Sequence, residues 1–213
     1  MTFNNRNGKP VLLAMVKAVQ ENKDYLSEVD GLIGDGDHGM NMNKGFSLFA
    51  DEIAGRDVSF TEGLDGLGSL LFEKIGGSMG PIYGSIFMEM SGAGSGKEIL
   101  EPADLAAMFR AGLDALYGIV EARTGDKTLV DALAPACDAL EGAAKRGADL
   151  KTALEEMKAA AVKGWESTKE LAARFGRSSR LGERSRGVYD AGATSCKIIL
   201  EAMADSIIAQ AEN

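Results

Sequence analysis

Three carboxylates fall within eight residues, where Asp30, Asp35 and Asp37 are interleaved with Gly34 and Gly36 and lead into His38, the only histidine in the chain. Carboxylates this crowded repel one another unless a cation lies among them, and an all-oxygen set suits a hard ion such as Mg²⁺. Asp30 closes a helical pattern, so it stands at a helix C-terminus, the end where the dipole disfavours negative charge. A bound cation would remove that conflict. Capping and turn aspartates are the competing reading, because Asp-Gly pairs commonly serve that purpose. An EF-hand is excluded: with Asp35 as first position, the twelfth is Phe46, where a bidentate glutamate is required.

Three other segments carry a chemical pattern. The tract Gly76-Gly77-Ser78-Met79-Gly80-Pro81 lets bare backbone approach a ligand and then opens a helix, with Pro81 suited to the first helical position. Tight helix packing would explain its glycines equally well. The stretch from Arg174 to Arg186 holds Arg174, Arg177, Arg180, Arg184 and Arg186 against one acid, Glu183. Arginine forks match phosphate oxygens, although a solvated loop or a docking surface for an acidic partner fits the same composition. The turn Thr124-Gly125-Asp126-Lys127 precedes another helix. One segment is a decoy. Ser91 to Glu98 has the look of a P-loop, but Ser91 replaces the first glycine and Glu98 the required Ser/Thr.

Positioning these segments falls to helices. Apolar residues recur at helical spacing over about 10–29, 39–53, 61–75, 81–90, 102–122, 128–146 and 150–175, and again after Asp190 through Ile207. Sustained β-branched alternation is scarce, so the expectation is an all-α fold of eight helices. Short loops make neighbouring helices antiparallel, and every odd-to-even connection then emerges at one end. Those connections are the four segments above: residues 30–39, 76–80, 124–127 and 176–190. Each leads into a helix N-terminus, where unpaired N–H groups attract anions. The predicted result is a phosphate-binding cup built from residues some 160 positions apart.

Composition narrows the function further. A net charge of −9 removes the electrostatic basis for non-specific nucleic-acid or anionic-membrane binding. Cys137 and Cys196 lie in apolar helical patterns without a nearby histidine, against a zinc site or a disulfide framework. The opening MTFNNRNGKP has no apolar leader and no stretch reaches about 20 apolar residues, so a cytoplasmic location and a single domain over 1–213 are expected. Glycine is 27 of 213 residues, about twice the usual share. Clustering of those glycines at the ligand end is the expected reason. Tyr83, Trp165 and the methionines read as core or interface residues. No nucleophile–base pair is present, so the segments describe a donor site without an acceptor pocket.

At these residues the chain resembles the nucleotide-binding L subunit of dihydroxyacetone kinases, which is also the C-terminal domain of single-chain versions. The resemblance rests on the three aspartates, Asn41-Met42-Asn43-Lys44-Gly45-Phe46, the Gly-Gly-x-x-Gly-Pro tract, Gly125-Asp126-Lys127-Thr128 with Asp131, Gly176-Arg177-x-Ser179, Leu181 to Ser185, and Asp190-x-Gly192-Ala193-Thr194-Ser195. It implies an antiparallel eight-helix barrel with a nucleotide at one end. It further implies two Mg²⁺ ions on Asp30, Asp35 and Asp37, and ADP or ATP held by His38, Gly39, Asn41, Met42, Gly77, Ser78, Met79, Gly125, Thr128, Leu129, Arg177, Asp190, Ala191 and Gly192. No catalytic side chain beyond these metal and phosphate ligands is implied.

The implied reaction is phosphoryl transfer to dihydroxyacetone or a related short ketose held on a separate K-type subunit. Either exchangeable ATP or a resident ADP recharged by an M-type phosphocarrier can be the donor. A non-catalytic adaptor that binds a transcription regulator according to nucleotide state is the alternative, and a homodimer is left open. Three positions depart from the family pattern. Ser78-Met79 replaces Ala-Ser, Ala191 replaces proline, and Arg180 replaces tyrosine.

Overall fold

The computed structural model describes residues 2–211. Among them are nine α-helices: α1 (Lys9–Glu21), α2 (Lys23–Ile33), α3 (His38–Ile53), α4 (Phe60–Lys74), α5 (Met79–Gly94), α6 (Pro102–Ile119), α7 (Val130–Lys145), α8 (Leu150–Ser167) and α9 (Ala191–Ala211). The all-α expectation holds apart from a two-residue antiparallel ribbon, in which β1 (Phe3–Asn4) pairs Phe3 with Leu100 of β2 (Ile99–Leu100).

The ninth helix arises because the first expected helix is broken at Asn22. That residue leaves helical geometry (φ −104°, ψ 7°), and its side-chain amide donates to the Ala18 carbonyl at 2.8 Å. Asparagine here competes with the backbone for its own hydrogen bonds, which bends the rod without adding a turn-length loop. The helix expected over 150–175 also stops early, at Ser167. The Ser167 and Thr168 hydroxyls donate to the Gly164 and Trp165 carbonyls (2.6 and 2.7 Å), and a 3₁₀ turn follows. α5 begins two residues before Pro81, which therefore takes the third position. The N–H that proline lacks has no intrahelical partner there either.

Helices α3 to α9 pack in sequence, each on the next, while α9 returns against α1 and α1 touches α3. Counting α1 and α2 as one bent rod preserves the up-and-down order. The loops preceding α3, α5, α7 and α9 therefore share one end. Inside lies a core in which Phe46, Phe60, Leu12 and Leu64 are fully buried, each such side chain contributing about 1.5–3 kcal/mol.

Glycine has a different distribution from the one expected. Many glycines sit inside helices where another backbone passes close by. A Cβ on Gly68 would lie 2.8 Å from the Gly84 carbonyl, and one on Gly84 would lie 2.9 Å from that of Gly68, so α4 and α5 cross at this pair. A Cβ on Gly164 of α8 would come within 2.0 Å of the Asp131 carbonyl of α7. Pro135 lacks the N–H that would otherwise bond that carbonyl, and α8 packs into the gap. Helix contact thus accounts for glycines that composition alone attributed to phosphate binding.

Candidate functional site

All four chemically patterned segments converge on one cavity of about 760 Å³. The end of α2 supplies Asp30, and the following turn supplies Asp35 and Asp37. One carboxylate oxygen from each lies within 4.8 Å of the others. The turn is tight because Gly34 N–H bonds the Asp30 carbonyl at 2.5 Å, and the His38 N–H reaches back to Asp30 Oδ2 at 3.3 Å. Among the described residues this is the one cluster of three such ligands. Three hard, anionic oxygens fit Mg²⁺, which takes carboxylates together with water and phosphate oxygens. Arg177 Nη1 contacts Asp35 Oδ2, so the arginine loop reaches the cluster.

Helix starts frame the cavity. Asp37 before α3 and Ser78 before α5 make no side-chain cap, whereas Ser59 and Asp149, which begin α4 and α8, both do. The first N–H groups of α5 therefore keep their capacity to take an external anion, as do those of α3 apart from the His38 N–H, which Asp30 already takes. At α7 the buried Asp131 accepts from Gly125 N–H (2.6 Å) and Thr128 N–H (2.7 Å), holding the turn that carries Thr128 and Leu129. Burial pushes the Asp131 carboxyl up, and these bonds pull against that shift. Asp190 opens α9 and accepts from Ala193 N–H at 2.7 Å. Burial raises its carboxyl to about 7, with Lys127 acting in the opposite sense.

The floor of the cavity is a hydrogen-bonded trio. Ser195 Oγ lies 2.8 Å from His38 Nε2 and 2.7 Å from the Tyr83 hydroxyl. Burial lowers the His38 imidazole to about 4, outweighing the attraction of Asp30, so the ring is neutral near pH 7. Ser195 can then donate to Nε2 while Tyr83 donates to Ser195. Ile33, Ile82, Leu116, Ile119 and Phe175 form an apolar wall on which a flat ring could rest.

This arrangement, carboxylates facing uncapped helix starts across a half-apolar cavity, agrees with the comparisons to known proteins. A family model described as the DAK2 domain matches residues 32–205. The chain belongs to the DAK2 domain family. It is 36% identical over 184 residues to the PEP-dependent dihydroxyacetone kinase, ADP-binding subunit DhaL, of Escherichia coli, covering 85% of this chain and 87% of that one. Identity is again 36%, over 193 residues, to the PTS-dependent dihydroxyacetone kinase, ADP-binding subunit DhaL, of Lactococcus lactis, covering 89% and 91%. The D-erythrulose kinase of Mycolicibacterium smegmatis is 32% identical over 91% of this chain, which spans 34% of that protein. Among solved structures, the dihydroxyacetone kinase of C. freundii superimposes with a TM-score of 0.69 at 21% identity, covering 92% of this chain and 33% of that one.

Within this DAK2 domain, the cavity is lined by Asp30, Asp35, Asp37, His38, Asn41, Gly77, Ser78, Met79, Thr128, Leu129, Arg177, Asp190, Ala191 and Gly192. Three expected contacts stand elsewhere. Met42 is buried in the core, and Gly125, half-buried with its N–H bonded to Asp131, does not line the cavity. Gly39 is buried against α2, where a Cβ would lie 1.9 Å from the Lys23 carbonyl. Its lack of a side chain serves helix packing. Tyr83 and Lys127 line the cavity although sequence reasoning gave neither a site role. For Tyr83 nothing local could reveal it, since its partner Ser195 is 112 positions away. Trp165, expected as a core or interface residue, is half-buried against the core, stacks on Tyr189 (4.2 Å) and donates to Thr194 Oγ1 at 2.9 Å.

Proposed function

We propose that residues 1–213 form one nucleotide-binding domain that acts as the ADP-binding, phosphoryl-transferring subunit of a dihydroxyacetone or short-ketose kinase. The observation that carries this reading is the meeting of the Asp30/Asp35/Asp37 cluster with the uncapped starts of α3 and α5 in one cavity. The aspartates would hold the metal, two Mg²⁺ ions in this reading, and the metal supplies charge neutralisation for the nucleotide phosphates. Ser78 and Met79 offer backbone N–H groups to phosphate oxygens, and Arg177 is within reach of the same place. The wall around Ile33 and Ile119 receives the base, and His38, kept neutral and held by Ser195, faces the ligand. Preorganised donors in a partly water-excluded pocket are the main source of rate in such transfers.

The two nucleophile types that line the cavity are both engaged, His38 Nε2 with Ser195 and Lys127 Nζ with two backbone carbonyls, so in this reading the ketose sits on a K-type partner that closes the open end. Resident ADP recharged by an M-type phosphocarrier is the favoured donor scheme. Its support is that the chain is 36% identical to the PEP- and PTS-dependent subunits and 32% identical to the D-erythrulose kinase. A cytoplasmic location accords with this, and among the described residues no helix is long and apolar enough to cross a membrane.

A regulator-binding adaptor is the second reading. It is favoured by Arg180 and Arg184, exposed on the loop with no acidic partner among the described residues. Reconstitution decides between the two. The chain with a cognate K-type subunit, Mg²⁺ and a phosphocarrier or ATP is expected to phosphorylate dihydroxyacetone, whereas silence across a panel of short ketoses overturns the kinase reading. Asp35→Ala is expected to abolish Mg²⁺-dependent ADP binding in calorimetry.

A further inference from the structure

Lys127 is the one lysine buried to 1% exposure, and it is also the only non-glycine residue with positive φ (61°) among those described. Both features are costly. An L-residue in the left-handed region crowds its Cβ against the following carbonyl, and a buried ammonium loses its hydration. Burial indeed pulls its pKa down, against the attraction of Asp190 and Asp131. Neither acid is hydrogen-bonded to its ammonium, although the Asp131 carboxylate accepts from the Lys127 backbone N–H. Its Nζ instead donates to two backbone carbonyls, Thr168 O and Val188 O, which lie 20 residues apart in sequence.

Those carbonyls mark the two ends of the arginine-bearing segment between α8 and α9. The neck of that segment is narrow: Gly187 N–H bonds Lys169 O at 2.7 Å, and Asp190 N–H bonds Thr168 Oγ1 at 3.1 Å. Beyond the neck the segment becomes an arm whose tip, from Phe175 to Ser178, lines the cavity and places Arg177 on Asp35. Asp126, the neighbour of Lys127, takes a second grip, with Arg174 Nη1 on its carboxylate at 3.0 Å and Arg174 N–H on its carbonyl at 3.2 Å. The same turn is tied to α7 through Asp131.

We propose that Lys127 is a positioning residue: its ammonium latches the neck of the arginine arm to the turn before α7, so that Arg177 and the Thr128–Leu129 wall move as one unit. A hydrophobic side chain could fill the space but could not hold two carbonyls from opposite strands of a loop. The left-handed backbone aims the lysine inward from a turn whose next residues face the cavity. This inference rests on the nucleotide reading above only for its effect on ligand binding; the latch itself is a property of the unliganded chain.

Hydrogen exchange on the unmodified protein tests the latch without any variant. The amides of Gly187 and Asp190 are expected to exchange as slowly as those in α7, with the amides of 177–182 exchanging much faster. Equal exchange at neck and tip would overturn the proposal. Lys127→Met keeps most of the stem and removes the charge, and is expected to raise the rate of tryptic cleavage between Arg174 and Arg186 at least tenfold at a temperature where the fold persists.

For Mg-ADP, Lys127→Met and Arg177→Ala should each weaken affinity about tenfold, and the double variant should be no weaker than the worse single one. A hundredfold, additive loss with an unchanged cleavage rate means that Lys127 acts on the ligand directly, and overturns the proposal. If Asp35→Ala leaves Mg-ADP affinity unchanged, the nucleotide reading fails, while exchange and proteolysis still decide the latch.

Discussion

Gly39→Ala separates a packing role from a ligand role at the start of α3. An added Cβ would sit 1.9 Å from the Lys23 carbonyl, 2.7 Å from Ser27 Oγ and 2.8 Å from the Ser27 N. A carbon does not approach a backbone oxygen closer than about 3 Å without strain, so α2 would have to retreat by roughly 1 Å. Two of the three obstacles are α2 backbone, which cannot rotate away. Overpacking of this kind costs about 1–3 kcal/mol, and the backbone contact places this case at the upper end. For a chain of this length, about 3 kcal/mol corresponds to a fall in Tm of roughly 6–12 °C.

The same retreat moves Asp30, on α2, relative to His38, on α3, and is expected to weaken Mg-ADP binding as a secondary effect. Thermal unfolding followed by far-ultraviolet circular dichroism measures the first effect and calorimetry the second. Gly76→Ala is the control, since a Cβ there meets nothing within 4 Å, and its Tm should stay within about 1 °C of the parent. A Gly39→Ala protein that keeps the parental Tm but loses nucleotide affinity would refute the packing argument and return Gly39 to the ligand site.

Other outcomes follow from the same geometry. Asp131→Asn replaces one of two carboxylate acceptors facing Gly125 and Thr128 with an amide donor; it should cost about 2 kcal/mol in urea unfolding, and an unchanged midpoint would remove Asp131 as the anchor of that turn. Ser195→Ala leaves the Tyr83 hydroxyl with only the Gly192 carbonyl at 3.5 Å and deprives His38 Nε2 of its donor. A loss of about 1–3 kcal/mol is expected, with a change in the His38 ring nitrogen shifts that would be absent if the trio did not exist. Cys137 and Cys196 are buried, and burial holds the first thiol up at about 12 and the second higher still. Native protein at pH 8 should therefore give no reaction with an aromatic disulfide reagent while unfolded protein gives two thiols; rapid reaction of either in the native state would contradict the packing around it.

Periodicity and loop order were enough to give the all-α class, most of the helices and the gathering of the four patterned segments around one cavity. Local pattern also sufficed to bring the three aspartates together, because Asp30, Asp35 and Asp37 are within one turn and a short loop of each other. The break at Asn22 escaped because a single asparagine perturbs apolar spacing too little to interrupt the pattern. Contacts between distant residues were not legible at all. Gly39 and Gly125 belong to ligand-like motifs, yet one is empty of side chain so that α2 can pass and the other donates to Asp131. Tyr83 and Ser195 are 112 positions apart and become partners only when α5 and α9 meet.

Lys127 is the clearest case. As a sequence feature it is one cation in a polar turn, with nothing to distinguish it from a solvated lysine. Tertiary structure buries it and hands it the carbonyls of Thr168 and Val188. Residue type and spacing decide which groups can do chemistry. Which of them face the ligand and which hold the others in place depends on where separate backbones cross, and that is determined only when the helices pack.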